Sequence, residues 1–138
     1  MMLSLAAEVP RISAGEVLTQ VNRFRSNAGL PSLRINQQLT HAAQARANDM
    51  ACRNYFSHTS PSGKTPWEFI EENGYEYSNA AENLATGQRT AAEVQRSWER
   101  SSGHRANQLN RKFTETGIGI ARFRDGVVVV QIFASPLR

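Results

Sequence analysis

The chain has 138 residues, of which 40% are hydrophobic and 20% charged, so it suits one globular domain with its own core and not a disordered chain. The net charge of +4 favours anionic partners such as lipid headgroups or acidic polymers, although solubility alone also explains it. No apolar run predicts a transmembrane span, no motif predicts nucleic-acid binding, and the single cysteine excludes an intrachain disulfide.

Residues 1–12 are predicted to form an N-terminal tail, and residues 13–138 a single domain. Within the tail, Leu5-Ala6-Ala7 has the small residues found at the end of an export signal, but the segment is too short for a complete signal peptide. Two origins stay open for the tail: the stump of a signal peptide or a remnant of cloning.

Four helices are predicted from helical spacing, capping residues and helix-ending glycines. They are expected over residues 13–29, 36–55, 65–74 and 90–103. The second helix has a stripe of small apolar residues, and Cys52 at its end is interpreted as a small packed side chain. Helix four is predicted to stop at Gly103, which places His104 just after a helix end.

The last third of the chain changes to the alternation of strands. Residues 117–123 and 127–133 are predicted to pair as a hairpin around the turn Asp125-Gly126. Residues 56–64 are predicted to form a loop, and residues 75–89 an irregular segment with a short turn around Glu82. Helices followed by strands indicate an α+β domain.

His58, Glu82 and His104 are the candidate functional residues. Histidine changes charge near neutral pH and is the commonest metal ligand, while Glu82 lies among apolar residues, where a carboxylate needs a cation or hydrogen-bond donors. Structural interpretations remain beside the functional ones: His58 caps a turn, and His104 is a cation favoured at a helix C-terminus. The third histidine, His41, is interpreted as a surface or packing residue.

Several segments, in this order and spacing, resemble the CAP superfamily of cysteine-rich secretory, antigen-five and pathogenesis-related proteins, in the style of its short bacterial members. The resemblance covers residues 14–135. The segments that carry it are Val21–Arg25 with Gly29-Leu30 and Leu33, Phe56-Ser57-His58, Ala81–Ala85, Trp98 with Ser102–Asn107, and Thr116–Ala121.

The resemblance implies a three-layer α-β-α sandwich with a central antiparallel sheet and a cleft lined by two histidines and two acids. It assigns His58, Glu82 and His104 to a divalent-metal site, with zinc as the first choice. The family's second acid corresponds to Ser101 here, so the expected ligand cleft contains these three residues and Ser101. Glu99 is not a substitute, because two positions along a helix turn a side chain by about 200°.

Three functions follow as alternatives. The favoured one is a binding module, secreted, periplasmic or at the cell envelope, that recognises a lipid or anionic envelope component and has no catalytic residue. The second is a zinc-dependent hydrolase or protease that uses His58, Glu82 and His104, with metal-bound water as the nucleophile. The third is a structural or adhesive domain without a ligand.

Overall fold

The computed structural model describes residues 9–137, so Leu5-Ala6-Ala7 and its interpretation as an export-signal remnant lie outside the described residues. Nine elements follow one another: α1 (Ala14–Asn27), β1 (Arg34–Ile35), α2 (Gln37–Arg53), α3 (Pro66–Glu72), β2 (Tyr77–Thr86), α4 (Ala91–Arg100), α5 (Ser102–Gln108), β3 (Glu115–Phe123) and β4 (Gly126–Pro136). Within these residues no helix is long and apolar enough to cross a bilayer.

The four strands form one sheet in the order β1-β3-β4-β2. The predicted pairing is confirmed, because β3 and β4 are antiparallel with Ile118 opposite Gln131, but Phe123 pairs with Gly126, so the turn is Arg124-Asp125 and not Asp125-Gly126. β2 pairs antiparallel with the other side of β4, while the two-residue β1 adds to β3 in parallel. The central sheet is therefore antiparallel apart from its shortest strand.

Helices cover both faces of the sheet, which confirms the α+β sandwich of three layers. One core lies between the sheet and α2–α3, and the other between the sheet and α1 and α4. Gly117 and Gly119 allow the close approach of α2, since a Cβ added at Gly117 would lie 2.1 Å from the carbonyl carbon of Leu39. The glycines of β3 thus allow α2, with its inward side chains, to pack closely against the sheet.

Three predictions about local structure are wrong. The segment expected to be irregular contains β2, whose alanine, asparagine and glutamate residues have low strand propensity but pair along β4. Helix four ends at Arg100, Ser101 is extended, and Gly103 lies inside α5 instead of ending a helix. Cys52 is exposed and not packed, because it lies on the outer side of α2.

Arg25 of α1 fixes the position of α5, which lies much later in the chain. Its buried guanidinium donates hydrogen bonds of 2.8 to 3.3 Å to main-chain oxygens in and after α5. The acceptors are the carbonyl oxygens of Gln108, Asn110 and Phe113. These bonds satisfy main-chain carbonyl groups in and after α5. They therefore hold this short helix in place although it has no long hydrophobic face.

Candidate functional site

Glu82 is a buried carboxylate held by a buried arginine. The Nε of Arg46 donates to Oε2 of Glu82 at 2.8 Å, and Nη2 donates to Oε1 at 2.9 Å. The two side chains are 0% and 1% exposed. Burial alone would lower the pKa of Arg46, but the hydrogen bonds and charge of Glu82 outweigh it and raise that pKa. Glu82 therefore carries its negative charge inside the domain.

The ion pair continues into a hydrogen-bond network on the inner side of α2. Nη1 of Arg46 donates to the Tyr55 hydroxyl at 3.1 Å, and this hydroxyl donates to Oδ2 of Asp49 at 2.5 Å. Burial, together with the Asp49 bond, raises the pKa of the Tyr55 hydroxyl to about 12. Each polar group of the network has a partner, so Arg46 is held rigidly against Glu82.

His58 stands on the loop that follows α2 and reaches back to Glu82. Its Nδ1 lies 2.9 Å from Oε1 of Glu82, and the carbonyl oxygen of Ser57 accepts from Nη2 of Arg46 at 2.9 Å. Since Glu82 is ionised and only accepts, Nδ1 of His58 is the donor. The Nε2 edge of the ring is then free to bind a ligand, and the side chain is 58% exposed.

His104 lies in the first turn of α5. Its carbonyl oxygen accepts from Nδ2 of Asn83 at 3.1 Å, and Asn107 donates to Oδ1 of Asn83 at 2.8 Å. Burial lowers the pKa of the His104 imidazole, and the charge of His58 lowers it further. The structural interpretation of His104 as a cation at a helix C-terminus is therefore wrong, since the residue lies at the opposite end of a helix dipole.

The two positions beside His104 have other roles. Ser101 is the extended residue between α4 and α5, where its carbonyl oxygen accepts from the amide of Arg105 at 2.8 Å. Glu99 accepts a hydrogen bond of 3.0 Å from Gln95 along α4. Glu99 is thus bonded on its own helix and does not replace the family's second acid, whose position is taken by Ser101.

His58 and Glu82 line one cleft of about 310 Å³ that opens at the outer edge of β2. The other lining residues are Thr59, Thr65, Pro66, Trp67, Ala80, Ala81 and Asn107. Neither His104 nor Ser101 is among the residues that line this described cleft, although the charge of His58 lowers the pKa of His104. The structure thus brings His58 and Glu82 into direct contact at the cleft, while His104 lies outside the cleft lining.

A metal held by three protein ligands does not fit this arrangement. Both oxygens of Glu82 already accept from Arg46, and Oε1 also bonds His58. Across residues 9–137 no three His, Cys, Asp or Glu side chains are placed to hold a metal ion. The donor that remains at the cleft is the imidazole of His58, which Glu82 orients from behind.

Arg46 is the site residue that the sequence interpretation missed, although a signal was present. The buried stripe of α2 contains Ala42, Ala43, Ala47 and Met50, and Arg46 occupies a position on that stripe. A charged residue on a buried face requires a buried partner. Glu82, an acid among apolar residues, was the matching signal.

Comparison with known protein families shows the family to which this fold and cleft belong. The family described as "CAP: Cysteine-rich secretory protein family" matches residues 18–133. The chain therefore belongs to the CAP family, and the resemblance inferred from its motifs is confirmed.

Several bacterial proteins are similar to this chain. It is 40% identical over 104 residues to YkwD of Bacillus subtilis (strain 168), a match that covers 75% of this chain and 40% of YkwD. An extracellular SCP-domain protein from Bacillus anthracis superposes with a TM-score of 0.81 at 30% identity, covering 88% of this chain and 39% of that one. An outer surface protein from Borrelia burgdorferi superposes with a TM-score of 0.80 at 21% identity, covering 88% and 90%. The chain spans about two fifths of the two Bacillus proteins.

We expect the pKa of His104 to lie below 6.5 and to rise in the His58→Ala variant without reaching 6.5. Removing His58 removes the second cause of the shift, but burial, the larger cause, remains. NMR titration of the imidazole signals measures both values, and His41→Ala on the exposed face of α2 is the control. An unchanged His104 pKa in His58→Ala would show that the two rings do not interact.

Proposed function

We propose that this domain is a recognition module that acts outside the cytoplasm and binds a cell-envelope component at the His58 cleft. The observation that carries this proposal is the state of Glu82. Both of its oxygens are occupied by Arg46 and His58, so it orients the histidine and is not free to act on a substrate. A rigid, exposed imidazole edge suits ligand recognition.

Location outside the cytoplasm, in a secreted, periplasmic or envelope setting, is supported by the kinds of protein that this chain is similar to. One of them is an extracellular protein and another is an outer surface protein. Lipid headgroups and acidic wall polymers are the anionic components that such a domain meets in this setting.

A basic segment that contains Asn107 of the cleft supports attachment of the domain to an anionic envelope component. The segment 96–112 carries five basic residues and one acid, Glu99, a difference of +4. All five basic residues are exposed, on α4, α5 and the turn after α5; they are Arg96, Arg100, Arg105, Arg111 and Lys112. Clustered exposed charge of this kind attracts anionic surfaces over a distance of about 8 Å at physiological salt.

A divalent metal, with zinc first, is proposed to bind between His58 and His104. The carboxylate of Glu82 keeps the proton on Nδ1 of His58 and leaves Nε2 as the ligand. Burial lowers the pKa of His104, so its ring is neutral and able to ligate at neutral pH. Bound in this way, the ion would supply a Lewis-acidic contact for an anionic group of the ligand.

Zinc-dependent hydrolysis is the second candidate function. The observation in its favour is the Glu82–His58 pair, because a carboxylate that holds the proton on one ring nitrogen is also what orients a zinc-ligating histidine in catalytic sites. Against it stands the missing second acid, whose position is taken by Ser101 at a helix junction. Proton transfer to a leaving group then lacks an acidic partner on α4.

We expect zinc binding to be lost in His58→Ala and weakened about 10- to 100-fold in Glu82→Gln, the range for a residue that orients a ligand. Binding should weaken as the pH falls, because a protonated imidazole cannot ligate. Isothermal titration calorimetry measures each affinity, with His41→Ala as the control histidine. Equal affinity in wild type and His58→Ala would remove the imidazoles from the metal site.

We expect the protein to bind purified cell walls or phosphatidylglycerol vesicles in a salt-sensitive manner and to cleave no peptide. Binding should fall in Arg96→Gln/Arg100→Gln and stay in Arg23→Gln/Arg34→Gln, which removes the same charge from other exposed sites. His58→Ala should weaken cell-wall binding through the cleft.

The matching activity assay uses a peptide library with zinc present. Turnover by the wild type should equal that of a His58→Ala/Glu82→Ala variant. Zinc-dependent cleavage that disappears in this variant would overturn the recognition proposal and establish the hydrolase.

A further inference from the structure

The His58 cleft includes part of a strand, so main-chain groups as well as side chains are near a bound ligand. β2 is an edge strand of the sheet, with β4 on one side only. Ala80, Ala81 and Glu82 of this strand line the cleft beside His58. An edge strand presents main-chain N–H and C=O groups that another strand can pair with.

The hydrogen-bond pattern shows which residues of β2 direct these groups outward. Successive residues of a strand direct their main-chain groups to opposite sides. The carbonyl oxygen of Leu84 accepts from the indole of Trp98 at 3.0 Å, so Leu84 faces away from β4. By alternation, Glu82 and Ala80 also face outward, while Asn83 and Ala81 face β4.

The other edge of the sheet gives the same alternation. The main-chain oxygen of Thr116 accepts from the amide of Asn36 beside β1, so Gly117 faces β4. Gly117 and Glu82 lie opposite the same residue, Ile132. Ile132 directs its main-chain groups to β3, and those of Glu82 consequently face away from β4.

We propose that the cleft binds an extended peptide segment of a partner protein, which adds to β2 as a further strand beside Ala80 and Glu82. The proposal rests on the proposed role of the cleft in recognition and names the envelope component bound there as a protein segment, while the basic residues of segment 96–112 are left to contact the anionic surface. A peptide main chain provides donors and acceptors in the same two-residue repeat as the outward groups of Ala80 and Glu82. The segment between Ala80 and Glu82 pairs with about three peptide residues, at about 3.3 Å each.

The walls of the cleft provide contacts for the side chains of such a peptide. Pro66 and Trp67 of α3 form an apolar wall, and Trp67 is 37% exposed although it is large and aromatic. Asn107 of α5 lies on the other wall and His58 at one end. Trp98 occupies the outward carbonyl oxygen of Leu84, so the outward groups of β2 at the cleft are those of Ala80 and Glu82.

The direct test is titration of the ¹⁵N-labelled protein, without metal, with the acetylated and amidated peptide Thr-Val-Thr-Val-Thr at millimolar concentration. Main-chain pairing tolerates many sequences, so this β-forming peptide should bind. The amide signals of Ala80 and Glu82 should shift and exchange with solvent more slowly, while those of Ala81 and Asn83 should change little. An absence of shifts at Ala80 and Glu82 would overturn the proposal.

Two controls separate strand addition from a general contact with the apolar wall. Ala80→Pro removes one outward donor without touching the ladder with β4 and should weaken binding about tenfold, whereas Ala80→Val should not. Two peptides are compared, one N-methylated at the odd residues and the other at the even residues. Only the peptide whose methyl groups point away from β2 should bind. Equal binding by both patterns would contradict strand addition.

Failure of this inference is distinct from failure of the proposed function. If the peptide leaves the Ala80 and Glu82 signals unchanged while His58→Ala still weakens cell-wall binding, the cleft recognises a ligand other than a peptide strand. If cell-wall binding is absent as well, the recognition function itself is wrong.

Discussion

The ion pair between Arg46 and Glu82 is the interaction on which the cleft depends. It joins α2 to β2 through two hydrogen bonds inside the domain and leaves neither charge exposed. Removing one partner of such a pair typically costs about 3–5 kcal/mol, because the other charge remains buried. The same pair fixes the loop of His58, since Arg46 also donates to the carbonyl oxygen of Ser57. Fold stability and site geometry are therefore coupled through one guanidinium.

This coupling explains why an acid of the cleft is buried while its histidine is exposed. Glu82 receives donors from Arg46 and His58, and the ring of His58 then presents its opposite nitrogen to solvent. On the other side of β2, Asn83 holds the main chain of His104. Consecutive residues of one edge strand, whose side chains point to opposite faces, thus position two histidines carried by different layers of the sandwich. The same strand leaves its outward main-chain groups at the cleft.

The sequence predicts the features that depend on local interactions. The β3–β4 hairpin follows from β-branched strand residues around a turn signal, although the turn is Arg124-Asp125 and not Asp125-Gly126, and the helix starts follow from capping residues. β2 could not be predicted, because its strand state comes from pairing with β4, some 50 positions later in the chain. The break at Ser101 was hidden because Gly103 suggested a helix end instead of a second helix. In the site, the sequence predicts His58 and Glu82, because each is unusual in its segment. Arg46 is recognisable only as a charged residue on the apolar stripe of α2.

The most direct test of this account is a double-mutant cycle between Arg46 and Glu82, measured as the free energy of unfolding in urea. Arg46→Met and Glu82→Leu should each destabilise the domain by about 3–5 kcal/mol, since each leaves one buried charge without its partner. The double variant should recover most of that loss, because two apolar side chains leave no charge behind. Additive losses, with a coupling energy below about 0.5 kcal/mol, would contradict the central role of this ion pair.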